Sequence, residues 1–396
     1  MTPHAWLLST LLLATPSIGL QEAIELAERR SPAVQVAQAQ LDLAAAGVST
    51  AGVLPNPQLM AGTIHNSFHF TTSISQPMVL FGQRSLGIEQ ARYRRDAASG
   101  DKAQALLSAR LQASDLWLQL WLNERLCTVR TQTQARYDRL LQMTKERFDD
   151  GASAQVEVIR ATAAAARAQA EQLSSVALVR AATADLQGFI TPNMPIDAEL
   201  HTSGELPASR PPPAIEGLWG QLEAHPAVAR LRATAEADRS AVRLERRRRL
   251  PIVNLNVGYS VGASSSPSNE LQAGLSAEIP IFHLRGAYIA QQQAAFAASD
   301  RRAQMALAQQ RTALSAALQT LAASQNRAQS LATQALPAAE KAAQLAAEAF
   351  SEGASDMTSV LAVEQVLADT RLEVALALAE QFRAQVMAEY LLGEPL

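Results

Sequence analysis

Three sets of side chains in this sequence could do chemistry. His65 and His69 carry imidazoles that suit a divalent metal. They lie in a stretch of alternating residues, where two members of a hairpin need not point the same way, and no third ligand lies nearby. The pair therefore reads as solvated or lumen-facing. Cys127 is the only cysteine, which excludes an intrachain disulfide and a cysteine-based metal cluster. Its helical surroundings make it buried filler rather than a nucleophile. The run Arg246-Arg247-Arg248-Arg249 would be an isolated patch for nucleic acid, and the chain's net charge of −3 argues against a polyanion partner. Placed at a helix end immediately before a strand, it reads as a helix-terminus or membrane-interface cluster, because cations suit helix C-termini. There is no serine elbow, no His-Glu zinc helix and no phosphate-cradling glycine loop. No catalytic, cofactor-binding or metal residue is assigned, and the chain does not read as an enzyme.

The elements that position these side chains are dominated by helix. Hydrophobic content of 48% and charged content of 18% argue against disorder, while aromatics at 5% and abundant alanine suggest closely packed helices. Phe148-Asp149-Asp150-Gly151-Ala152-Ser153 interrupts a long breaker-free region, and nearly the same wording returns at Phe350-Ser351-Glu352-Gly353-Ala354-Ser355, 202 positions later. A glycine closing one helix and a small residue opening the next describe a helical hairpin. Two of them imply an internal duplication.

Residues 1–19 are expected to be a signal peptide. Trp6 to Ala14 is an apolar run of the right length, too short to span a bilayer, and Ser17-Ile18-Gly19 offers small residues for cleavage after Gly19. The first repeat, 20–190, opens with helix from Gln21 to Gly47, restarted at Ser31-Pro32. Pro55-Asn56-Pro57 forbids helix, and the period becomes two. Phe68, Phe70, Thr72 and Ile74 share one face, and His69, Thr71, Ser73 and Ser75 the other, giving a hairpin over 57–76. A long helical hairpin follows over 86–190. Its first helix reaches about 95 Å at helical rise. Leu107, Leu111, Leu118 and Leu122 form its core seam beside Trp117 and Trp121. Ala161, Ala164, Ala165 and Ala168 give the return helix a small-residue face. Residues 191–215, rich in proline, form a linker. The second repeat, 216–396, carries a strand pair over 252–279 and a helical hairpin over 287–393, with a kink at Pro337.

Each strand is about ten residues, the length of a tilted strand crossing an outer membrane, with one apolar and one small polar face. Four strands cannot close a barrel, since about eight is the practical minimum. Open edges in lipid leave backbone groups unsatisfied at several kcal/mol each. The sheet is therefore expected to close by oligomerisation, and three copies would give twelve strands.

Over essentially its whole mature length the chain resembles the TolC-type outer-membrane efflux proteins. The resemblance is carried by Leu20-Gln21-Glu22-Ala23-Ile24-Glu25-Leu26-Ala27 with Ser31-Pro32, by Pro55-Asn56-Pro57, and by Gln76-Pro77 with Phe81-Gly82-Gln83-Arg84. The turns at Gly151 and Gly353 and the closing Tyr390-Leu391-Leu392-Gly393 complete it. It implies a mostly α fold with a transmembrane β part. A homotrimer would close a twelve-stranded barrel in outer-membrane lipid, four strands per chain, continued by a long α-helical periplasmic barrel. Partners would be a periplasmic adaptor protein and an inner-membrane pump, of the resistance-nodulation-division type. The implied function is passive exit of small molecules or metal ions, driven by that pump. The Phe-Gly-Gln-Arg wording leans towards the heavy-metal branch. Alternatives are the exit duct of a type I protein-secretion system, or a periplasmic coiled-coil scaffold without a pore.

The resemblance also places the glycine turns at the periplasmic tip, where the tunnel opens like an iris. Gly151, Ala152, Ser153, Gly353, Ala354 and Ser355 are then adaptor-docking residues. Acidic rings that family members place just after the second turn are replaced here by Ser359 and Ala362. Glu352 and Asp356 remain as carboxylates for the aperture, and Glu157 and Arg160 lie past the first turn. The Gly353 turn is expected to be the gate and the Gly151 turn the adaptor contact.

Overall fold

The computed structural model describes residues 17–64, 69–191, 200–208, 211–212, 215–262, 269–279 and 284–393, with backbone alone at 64, 69, 215 and 216. The apolar run Trp6–Ala14, His65, Phe68 and, of the 191–215 stretch, Pro192, Pro195 and Pro213 lie outside the described residues, as does the His69 side chain. The chain falls into two units, one made of residues 35–105 and 219–311, the other of residues 1–34, 106–218 and 312–396.

The first unit holds the sheet. Strands β2 (Gln58–Ile64), β3 (His69–Met78), β5 (Ile252–Gly262) and β6 (Asn269–Glu278) pair in that order, each antiparallel to the next. The register puts Leu59, Ile74, Val257 and Ala273 in one row and Gln58, Ser75, Asn256 and Gly274 in the next. One face is thus apolar from edge to edge, including Phe70, Leu255, Tyr259, Leu271 and Leu275, and all of these are well exposed. The other face carries serine, threonine, asparagine and glycine, with Met60 and Glu270 among them. The alternation expected for both strand pairs is present.

Helix ends at the sheet are tied by side chains. Helices α2 (Pro32–Ala51) and α6 (Pro226–Arg247) lead into β2 and β5. Gly82 turns the chain out of β3 at φ +76, a conformation glycine adopts without strain. Arg84 then donates to the Gly52 carbonyl at 2.7 Å and Gln83 to the Arg247 carbonyl at 3.2 Å. The Phe-Gly-Gln-Arg segment therefore supplies side-chain donors to carbonyls at the C-terminal ends of two helices. After β6 the equivalent turn falls on Arg285, at φ +52, held by a 2.8 Å ion pair with Glu245.

The second unit is helical apart from one small parallel pair. Strand β1 (Ser17–Gly19) pairs with β4 (His201–Ser203), so the 191–215 stretch contains a strand as well as its prolines. Ile18 is buried, and its carbonyl accepts a hydrogen bond from Trp117 Nε1 at 2.9 Å. The core gathers Trp117, Leu118, Leu120, Trp121, Leu186 and Phe382, whereas Leu107, Leu111 and Leu122 are only half-buried. The tryptophans thus occupy the centre of the seam that the leucine spacing suggests. A cut after Gly19 would remove β1 and leave this core open. The mature N-terminus is accordingly expected at or before Ser17, and N-terminal sequencing checks it; Leu20 as the first residue would count against it.

Helix α3 runs unbroken over Gln83–Asp149 and returns as α4 (Gln155–Ile190). The second hairpin is less regular. Helix α7 (Gly286–Ser330) passes into α8 (Leu336–Ser351) through a π turn at Leu331–Ala335, where Leu336 donates to the Leu331 carbonyl. The break expected at Pro337 thus lies just upstream of it. Proline has no N–H for the carbonyl one turn back, and the wider turn relieves the clash. Helix α9 (Met357–Leu392) ends on Gly393 at φ +82. No described helix is long and apolar enough to cross a membrane.

Candidate functional site

The two glycine turns share one geometry. Gly151 and Gly353 sit at φ +74 and +77. Gly151 donates to the Phe148 carbonyl and Ala152 to that of Arg147; Gly353 donates to Phe350 and Ala354 to Ala349. Both are paired C-terminal closures of the kind glycine permits at the position after a helix. Local sequence alone sets this: a small left-handed residue, then a short link, then an extended residue entering the next helix.

Their surroundings differ. Phe350 is 1% exposed and packs with Tyr137, Leu140, Met357 and Val360, against the alanine face Ala161, Ala165 and Ala168. Its counterpart Phe148 is 42% exposed, and Val156 and Ile159 beyond the first turn are exposed as well. The Gly353 turn is therefore built into the helical core, whereas the Gly151 turn presents an apolar surface.

Three arginines tie the first hairpin to the second. Arg147 donates to the Phe350 carbonyl and lays its guanidinium 4.7 Å from the Phe350 ring centroid. It thus supplies a donor at the C-terminus of α8 and a cation over an aromatic face. Arg160 donates to Thr358 Oγ1 at 2.9 Å. Arg136 reaches both oxygens of Glu364 at 3.1 Å, and Glu364 is buried. Beside it, burial pushes the Tyr137 phenol up, and the Glu364 and Asp369 carboxylates add to this. That hydroxyl stays protonated and faces Gln365 Oε1 at 3.5 Å.

The residues expected at the aperture separate into distinct roles. Asp356 is the N-cap of α9, accepting from the Ser359 N–H at 3.0 Å, so its carboxylate has a structural reason to be there. Glu352 is exposed at the C-terminus of α8, where the helix dipole disfavours a negative charge. Helix stability does not account for it. Asp149 and Asp150 end α3 in the same unfavourable way. Ser359 and Ala362 are exposed on α9. Sequence reasoning overlooked that Val366, Asp369 and Glu373 continue this exposed stripe at helical spacing. It equally overlooked Arg136 and Arg147. The signal available was the sevenfold recurrence beyond Ala362, read past the first two turns of the helix.

The Ser359 hydrogen bonds hold the Asp356 carboxyl below its ordinary value. A depressed folded-state value means stability that is present above the unfolded value and lost as the pH falls through the folded one. In Asp356→Ser the cap is kept and the titration removed. The helical unit of this variant should unfold with a shallower acid limb than the parent, and circular dichroism against pH measures it; identical acid limbs would contradict the assignment. Among the described residues no group of three or more His, Cys, Asp or Glu could hold a metal ion.

Comparison with known proteins matches this architecture. The family described as "Outer membrane efflux protein" matches residues 23–190 and 221–394. The cobalt-zinc-cadmium resistance protein CzcC of Cupriavidus metallidurans is 26% identical over 272 residues, covering 68% of this chain and 64% of that protein. The alignment thus spans just under two-thirds of the curated relative's length. Among solved structures, VceC of Vibrio cholerae superposes with a TM-score of 0.80 at 18% identity, covering 95% of this chain and 96% of that one. CusC gives a TM-score of 0.80 at 15% identity, covering 96% and 93%.

Proposed function

The chain belongs to the outer membrane efflux protein family, an outer-membrane protein extending into the periplasm, and on that footing we propose that it is the exit channel of an efflux assembly. The observation that carries the reading is the sheet. It has one exposed apolar face, one polar face, and outer strands β2 and β6 that each pair on a single side. In lipid such edges need partners. A homotrimer would join β6 of each copy to β2 of the next and close twelve strands around a polar lumen. The helix, strand-pair and helical-hairpin order on either side of the 191–215 stretch supports an internal duplication. Heat-modifiable migration of the extracted protein together with conductance in planar bilayers tests the channel. A monomer without conductance overturns it, and leaves the poreless scaffold.

Transport would be passive, with energy supplied by an inner-membrane pump of the resistance-nodulation-division type through a periplasmic adaptor. The similarity to a cobalt-zinc-cadmium resistance protein favours divalent metal ions as cargo. The first turn, with Phe148, Val156 and Ile159 exposed around Gly151, is the proposed adaptor contact, since exposed apolar patches favour protein partners. The second turn is the proposed gate, with Glu352 and the α9 stripe through Asp369 and Glu373 supplying carboxylates that favour cations. Arg147, Arg160 and Arg136 would hold it shut by fixing α8 and α9 to the first hairpin. Single-channel recording of Glu352→Gln combined with Asp356→Ser should show reduced cation preference. Unchanged selectivity would remove Glu352 from the aperture.

A further inference from the structure

The arginine run at the end of α6 is not absorbed by any of these roles. Arg246, Arg247 and Arg249 are exposed, and none of them makes an ion pair among the described residues. The nearby carboxylates are already engaged. Glu245 pairs with Arg248 at 2.6 Å and with Arg285 at 2.8 Å, and Glu89 pairs with Arg243 at 2.7 Å. Glu278, opposite Ile252 in the register, belongs to the row of the polar face. Arg248 itself turns to an open cleft of about 880 Å³ that Arg84 and Arg94 also line.

The placement of this charge is specific. Both strand pairs are hairpins, so the chain enters and leaves the sheet at one end. The arginines stand at that end. Arg249 is four positions before Val253, the first residue of β5 in the apolar rows, a separation of at most about 13 Å at strand rise. Leu54, Val53 and Leu80, at the same end, are exposed apolar residues. Uncompensated cations directly beneath an apolar band, with aliphatic side chains among them, complement a phospholipid: phosphate for the guanidinium forks, acyl chain for the sheet face.

We propose that Arg246, Arg247 and Arg249 form a binding surface for anionic phospholipid in the periplasm-facing leaflet of the outer membrane. The surface selects phosphatidylglycerol-type headgroups over zwitterionic ones and fixes the depth at which the sheet sits. It rests on the membrane placement of the sheet but not on the pore, the gate or the cargo. Basic residues at an anionic membrane surface gain about 1 kcal/mol each. Loss of three should reduce the preference on the order of a hundredfold, since each factor of ten corresponds to about 1.4 kcal/mol.

The test is lipid retention by the full-length protein, purified in detergent and offered an equimolar mixture of phosphatidylglycerol and phosphatidylcholine, read by native mass spectrometry. The parent should retain phosphatidylglycerol in excess, less so at high salt. The variant R246Q/R247Q/R249Q should lose the excess. The matching lysine variant should keep most of it, which separates charge from folding. Glutamine at Arg30, Arg139 and Arg180, exposed arginines of the other unit, should leave it intact. No preference in the parent, or an undiminished one in the glutamine variant, overturns the proposal. So does an unchanged lipid ratio accompanied by loss of a periplasmic protein from pull-downs, which would assign the arginines to a protein partner. A protein absent from the outer-membrane fraction would instead refute the placement itself.

Discussion

Trp117→Ala should destabilise the helical unit by about 4 kcal/mol, the range for emptying a large aromatic site in a core. Trp117 is 1% exposed and packs 6.5 Å from Phe382, centroid to centroid, at a 58° tilt. Its indole also holds β1, through the 2.9 Å bond to the Ile18 carbonyl. The substitution therefore removes ring volume, an aromatic pair and a buried donor together. Trp117→Phe separates these contributions. It keeps most of the ring and leaves the Ile18 carbonyl without that donor, and should cost about 1–3 kcal/mol. Thermal unfolding of the detergent-solubilised protein, followed by near-ultraviolet circular dichroism, reads both. Equal losses in the two variants would mean that the hydrogen bond alone matters, and no loss in either would dismiss the clamp on β1.

Removing the partner of a buried carboxylate is the second large effect. Glu364 lies inside the helical core with Arg136 across it, and the Arg136 side chain remains 37% exposed. Arg136→Ala should cost about 3 kcal/mol, the low end for breaking a buried pair, because water reaches the arginine but hardly reaches the glutamate left behind. Replacing both, with Glu364→Leu beside Arg136→Met, should recover most of the loss, since no unpaired charge is then buried. The same cycle bears on the gate. If Arg136 helps hold α9 to the first hairpin, the alanine variant conducts more often in planar bilayers and the double variant less so. Recovery of stability without recovery of closure would divide the structural role from the gating role.

The parts of the molecule legible in the sequence were those set by local pattern. Alternation from Phe70 to Ile74 and from Val253 to Val261 marked the faces of the sheet, because a strand turns every second residue to the same face whatever its partner. The glycine turns were legible for the same reason: a left-handed residue is needed after a helix, and glycine supplies it. What the sequence concealed depends on partners distant along the chain. Phe148 and Phe350 have nearly identical neighbours in sequence, yet one is exposed and the other buried, because only the second meets Arg147 and the alanine face of α4. Asp356 looked like a charge and is a helix cap, a distinction set by the extended backbone that precedes α9. Ile18 lies in the stretch read as a signal peptide, and its burial is visible only once Trp117 and β4 are brought beside it.

The pairing of β3 with β5 sets the order in which this chain can fold. It joins Met78 to Val253, residues 175 positions apart, whereas β2 with β3 and β5 with β6 close as hairpins. Loop-closure entropy and contact order make such a long-range ladder slow. Until β3 meets β5, each hairpin carries two bare edges, and a nascent chain released after Ile190 would present β3 as an open template for another chain. A chain stalled between the two halves is therefore expected to aggregate more readily than the full-length chain.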